Sequence, residues 1–179
     1  KTILIEGYTP KHVDYTVADR QDIVIDDSAK HKVNLGDFTI DSDSVSSILL
    51  GNRELGTNLE QLDIGSLPTT IYGDQTLLVS AKKSGKDVLI SVPVRVITQE
   101  IRTSDKLKAA VNYMNKNQPA IYGYYLLTDD IGTKNGEFAN PGFPLAPSGI
   151  SYYTYHDCYG FQGVLDGNGH TITGKTGSN

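Results

Sequence analysis

The sequence predicts a mostly β protein: an antiparallel sandwich over residues 1–101, then one short helix and further strands over residues 102–179. Three observations carry this. Period-two alternation recurs between turn-forming clusters through the first hundred positions, with no convincing helix among them. At Thr98–Ser104 the apolar period changes to 3.6. After Pro119 strand-like runs return, now rich in tyrosine and separated by glycine and aspartate.

Taken in order, Thr2–Ile5 opens the chain and Gly7-Tyr-Thr-Pro10 breaks it. Val13, Tyr15 and Val17 alternate, as do Ile23 and Ile25, before Asp26-Asp27-Ser28. Val33, Leu35, Phe38 and Ile40 lead to Asp41-Ser-Asp-Ser44. Val45–Leu50, Leu59–Ile64, Thr69–Tyr72, Thr76–Ala81 and Asp87–Ile97 complete the expected strands. Strands at this spacing, divided by turn residues, argue a sandwich. Pro93 interrupts the last run, and a residue without an N–H is expected at an edge or a bulge.

Ser104 is the expected N-cap of the helix, with Asp105 in the first turn where negative charge suits the dipole. Leu107, Ala110, Val111 and Met114 then form one apolar stripe, and Pro119 ends the helix. Ile121-Tyr-Gly-Tyr-Tyr-Leu-Leu127 follows as a strand with Tyr122, Tyr124 and Leu126 on one face and Tyr125 and Leu127 on the other. A long proline-marked loop, Gly132–Gly160, leads to Phe161–Gly174, two short β-forming runs around Asp166-Gly-Asn-Gly169. Local chemistry there is that of an ordinary hairpin.

Two resemblances sharpen this reading. Leu165-Asp-Gly-Asn-Gly-His-Thr-Ile172 resembles the opening coil of right-handed parallel β-helices of the pectin-lyase-like kind, over roughly residues 104–174. It implies a helix capping the first coil or coils of a stack, in a secreted or surface protein of a bacterium, and the short chain then reads as a truncated β-helix. Leu62-Asp-Ile-Gly-Ser-Leu67, Tyr72-Gly-Asp-Gln-Thr-Leu-Leu-Val79 and Val92-Pro-Val-Arg-Val-Ile97 resemble bacterial immunoglobulin-like spacer domains. That likeness implies a spacer or adhesive module, so residues 1–101 are expected to be immunoglobulin-like.

Composition narrows the function. The formal net charge is −5. Residues 1–102 carry 11 Lys/Arg against 15 Asp/Glu, and residues 103–179 carry 5 against 6. Neither half offers a basic surface for nucleic acid. No apolar run reaches membrane-spanning length. Cys158 is the only cysteine, so no internal disulfide forms.

Candidate sites are few. Asp41-Ser-Asp-Ser-Val45 begins like a calcium loop, but the positions needing Gly and Glu hold Ser46 and Asn52. His12 and His31 lack a ligand-spaced partner, so no metal and no cofactor is expected. Asp129, Asp130, Asp157, Asp166, His156 and His170 are the one acid–base constellation, yet Asp129 and Asp166 sit where turns need them. No catalytic residue is assigned. Eight of the eleven tyrosines follow residue 103, and Tyr152, Tyr153, Tyr155 and Tyr159 crowd the end of the long loop. With Asp157 they form the candidate ligand site, a glycan platform in which rings offer flat apolar faces and hydroxyls. Packing beneath the loop is the competing explanation. The expected function is a non-catalytic extracellular module, spacer or adhesin, contacting a glycan or a host or cell-surface protein. The alternative is the N-terminal portion of a carbohydrate-active lyase or hydrolase with its catalytic residues downstream.

Overall fold

In the computed structural model the described residues are 12–65, 67–68, 70–116, 122–132 and 161–173, with 112–116 given as helix backbone only. The described residues are mostly β, in one mixed and one parallel sheet, with one short α-helix among them. The larger sheet contains β1 (Tyr15–Thr16), β2 (Gln21–Val24), β3 (Ser47–Leu50), β4 (Arg53–Glu54), β5 (Gly73–Lys83) and β6 (Lys86–Ile97). Its order is β1-β6-β5-β3-β4, with β2 also on β6.

The long β5–β6 hairpin is the backbone of this sheet, in register from Gly73↔Val96 to Lys83↔Lys86. Alternation decides which face is buried. Leu77, Val79 and Ala81 of β5 and Ile90, Val92, Val94 and Val96 of β6 all point into one core. Opposite them lies a layer with little regular structure, in which Val33, Leu35, Leu55, Leu62 and Ile64 are buried without belonging to a strand. Its backbone is still paired: Val33 N–H donates to Leu59 O at 2.9 Å and Leu62 N–H to His31 O at 2.6 Å. The strands expected at 33–40 and 59–64 are therefore apolar cover segments, because local alternation reports burial rather than ladder formation.

The expectation of an all-antiparallel arrangement is corrected on one side of β6. There β1 and β2 both run parallel to it, with Tyr15↔Ile90 and Val24↔Ile97 in register. Pro93 explains why they are two strands. The Ser91 carbonyl accepts Val17 N–H at 2.8 Å. The next donor on that side of β6 would be residue 93, and proline has none. The chain therefore turns away after Val17 and rejoins at Gln21 opposite Val94. Pro93 lies inside a central strand, paired with Thr76 on its other flank, not at an edge.

The second sheet, β7-β8-β9, is wholly parallel. It comprises β7 (Gln99–Ile101), β8 (Tyr124–Leu127) and β9 (Val164–Asp166). Gln99–Ile101, grouped by sequence with the sandwich, is its first strand. Beyond the corner, Ile131 and Ile172 form a further parallel bridge. The residues around Asp166-Gly-Asn-Gly169 thus make no hairpin: each arm pairs with the rung before it.

Helix α1 (Ser104–Lys116) connects β7 to β8. Leu107, Ala110 and Val111 pack with Ile101, Tyr125, Leu127 and Ile131 in a second core; the Met114 side chain lies outside the described residues. The N-cap is Thr103 rather than Ser104. Its Oγ1 accepts Lys106 N–H at 3.2 Å and its carbonyl accepts Leu107 N–H at 3.1 Å.

Candidate functional site

Among the described residues, the most elaborate arrangement of side chains lies where the two sheets meet. Only Thr98 separates β6 from β7. Thr98 N–H donates to Tyr124 O at 2.8 Å, and Tyr124 N–H donates back to Thr98 Oγ1 at 2.9 Å. Strand β8 is buried on both faces. Tyr125 and Leu127 face the helix core, while Tyr124 and Leu126 pack with Val24 and Ile97 of the first sheet and with Tyr72 just before β5. The alternation read from the sequence thus divides one strand between two hydrophobic clusters.

A charged network borders this contact. Arg95, the lone charge in the apolar run of β6, lies 3.4 Å from Asp74 and 3.4 Å from Asp166. Its guanidinium also sits 5.1 Å from the centre of the Tyr124 ring. Arg20 pairs with the same Asp74 at 3.2 Å. The Tyr124 hydroxyl donates to Asp166 Oδ2. Burial, then the hydrogen bond to Asp166, raises the Tyr124 phenol from 10.0 to about 12. The Tyr124 hydroxyl and the Asn168 N–H hold the Asp166 carboxyl below its ordinary 3.8. On this border Tyr72 also donates to Gln162 O at 3.0 Å.

Further polar contacts link β7 and α1 to the first unit. Glu100 accepts from Lys30 and, at 2.6 Å, from Arg102. Burial opposes ionisation of Glu100, but these two cations outweigh it and its pKa falls. Lys106 of α1 lies 3.4 Å from Asp26.

The expected acid–base constellation is divided by the fold. Asp166 serves the joint, and its Oδ1 also accepts Asn168 N–H at 2.8 Å to shape the corner. Asp130 accepts Thr171 N–H from the next rung at 2.8 Å and lies 3.5 Å from His170. Asp129 meets Thr128 at 3.4 Å. His156 and Asp157 lie outside the described residues, as do Cys158 and the proposed glycan residues Tyr152, Tyr153, Tyr155 and Tyr159. Of the described carboxylates, Asp130 and Asp166 act as braces between neighbouring strands, while Asp129 meets the adjacent Thr128.

The other candidates have structural partners. Asp41 accepts Ser84 N–H at 2.8 Å and Gly85 N–H at 2.9 Å, closing the β5–β6 turn. Those bonds, Gly85 first, lower its pKa. His31 contacts Ile25 O at 3.1 Å and Gln61 at 3.4 Å. His12 lies on the surface, 3.7 Å from Asp14. Among the described residues no group of three His, Cys, Asp or Glu is placed to hold a metal. No described helix is long and apolar enough to cross a membrane.

Sequence reasoning overlooked Arg95 and Asp74, although a single arginine on the outward face of an apolar strand was the available signal. The network they build is charge-balanced and anchored at every member, and it ties the two sheets together. No family model, no curated protein and no solved structure matches the chain.

Proposed function

We propose that the chain is a non-catalytic module of an extracellular bacterial surface protein. In this reading an immunoglobulin-like sandwich presents the helix-capped start of a right-handed parallel β-helix, with a spacer and adhesion role. The observation that carries it is the pairing of β7, β8 and β9. All three run parallel, and the Ile131–Ile172 bridge repeats the stacking past the corner. Successive coils would stack in this way, each using the one before as its template. The order β6-β5-β3 supports the sandwich half, since it matches the G-F-C order of an immunoglobulin sheet. The structural engagement of Asp130 and Asp166 favours the non-catalytic role. Glycan contact at Tyr152, Tyr153, Tyr155, Tyr159 and Asp157 is part of the same proposal.

Surface labelling tests the location. Antibody raised against this protein should label intact source cells, and labelling only after permeabilisation would overturn the proposal. A glycan array tests the contact. Binding by the wild type that is lost in Tyr153→Ala and Tyr155→Ala supports the platform, and equal binding by all three removes it.

A further inference from the structure

The direction of three strands in the first sheet carries an inference about force. Strands β1 and β2 precede the core of the first unit in the chain, and β6 leaves it toward the coil. Both early strands lie parallel to β6, over Tyr15↔Ile90 to Thr16↔Ser91 and Gln21↔Val94 to Val24↔Ile97. Tension along the chain draws β1 back toward its own start and draws β6 onward past Ile97. Because the strands are parallel, the two pulls run in opposite senses along one shared axis.

The bonds that join these strands lie across that axis. They include Asp14 N–H to Leu89 O, Val17 N–H to Ser91 O and Ile25 N–H to Ile97 O, each 2.8 Å. The Asp14 carboxylate adds a 2.7 Å bond from Leu89 N–H. Loaded in this direction the bonds share the force and must fail together. A hairpin opened from its end, by contrast, loses them one at a time. Forced unfolding follows the barrier to rupture rather than the equilibrium stability, so this difference in geometry sets the strength.

We propose that β1, β2 and β6 form a load-bearing clamp through which the first unit resists tension along the chain. Its purpose rests on the spacer reading; its geometry does not. Two features fit it. Pro93 divides the clamp into two blocks, and β6 passes its load into β7 across the single residue Thr98.

Single-molecule pulling on the full chain tests the clamp, with Cys158→Ser removing the native thiol and cysteine handles at exposed positions. The pair His12→Cys and Asp105→Cys loads β1 and β6 in shear. The pair Thr70→Cys and Asp105→Cys opens β5 from β6 at one end. At equal pulling speed the shear pair should need about twofold higher force or more. Equal forces, or a lower force for the shear pair, overturn the clamp. Pulling the unsubstituted chain through fused end domains is the second measurement. The coil should yield first and the first sheet last, at the higher force, and the reverse order overturns the proposal. A clamp found in a protein absent from the cell surface would sink the spacer reading and leave the clamp standing. Surface labelling of a protein without direction-dependent strength would do the opposite.

Discussion

Asp166 uses its two carboxylate oxygens for two purposes: Oδ2 accepts the hydroxyl of Tyr124 in the preceding rung, and Oδ1 accepts the N–H of Asn168 in its own corner. One side chain thereby sets the shape of the turn and the position of that turn over the rung beneath. Arg95 of the first sheet lies 3.4 Å from the same Oδ2. Strand β9 is thus tied to both β8 and the first sheet through one residue.

Replacing Asp166 separates these purposes. Asp166→Ala leaves the Tyr124 hydroxyl without its acceptor and should lower stability by about 1–3 kcal/mol. Asp166→Asn keeps an oxygen for the corner and should lose less. Urea denaturation of the three proteins checks the ranking, and coincident midpoints would contradict it.

The same pair sets a stability window in pH. The folded-state pKa of Asp166 is lowered, chiefly by the Tyr124 hydroxyl, so its contribution is present above 3.8 and lost as pH falls through the folded value. The pKa of Tyr124 is raised, chiefly by burial, so its contribution is complete below 10.0 and lost as pH climbs toward about 12. Thermal melts across pH should show both losses. Tyr124→Phe should remove the alkaline one, and an unchanged alkaline arm in that variant would reject the assignment.

Gly163 is required by the spacing of the rungs. A methyl group built there collides with the Gly123 carbonyl oxygen, the acceptor of Val164 N–H at 2.8 Å. Gly163→Ala should cost about 1–3 kcal/mol through overpacking and release residues 161–173. Gly169 has open space but a φ of +80°, so Gly169→Ala should cost about 1–2 kcal/mol from backbone strain alone. Hydrogen exchange distinguishes the two, since only Gly163→Ala should deprotect β9 while β5 and β6 stay protected.

Helix α1 provides a fourth test. Thr103→Ala should destabilise by about 1 kcal/mol through loss of the cap, and Ser104→Ala should be nearly neutral. A larger effect at Ser104 would restore it as the capping residue.

Legibility followed the range of the forces involved. The faces of β8, the stripe of α1 and the strand character of Thr76–Ala81 and Asp87–Ile97 were readable because each depends on local periodicity. Pairing direction was not: nothing within Tyr15–Val24 shows that these residues lie parallel to a strand more than sixty positions later. Val33, Leu35 and Leu62 alternate or cluster like strand residues because they are buried, although the layer they form makes few regular ladders. Asn168-Gly169 carries hairpin chemistry, with φ of +47° and +80°, yet parallel pairing to Tyr124–Leu126 gives it the task of a corner. The joint was hidden because Arg95, Tyr124 and Asp166 come together only once both sheets exist. Tyr152, Tyr153, Tyr155, Tyr159 and Asp157, expected from the sequence to contact a glycan, lie outside the described residues.

The passage from β6 to β7 through Thr98 leaves the protein without a swivel. A flexible tether would let the second sheet sample many directions, whereas this connection gives it one heading. Inserting a few glycines after Thr98 would loosen that heading while leaving the pairing within each sheet in place. The bearing of one sheet on the other starts at this one-residue passage and is held by the Arg95–Asp166 and Tyr72–Gln162 contacts.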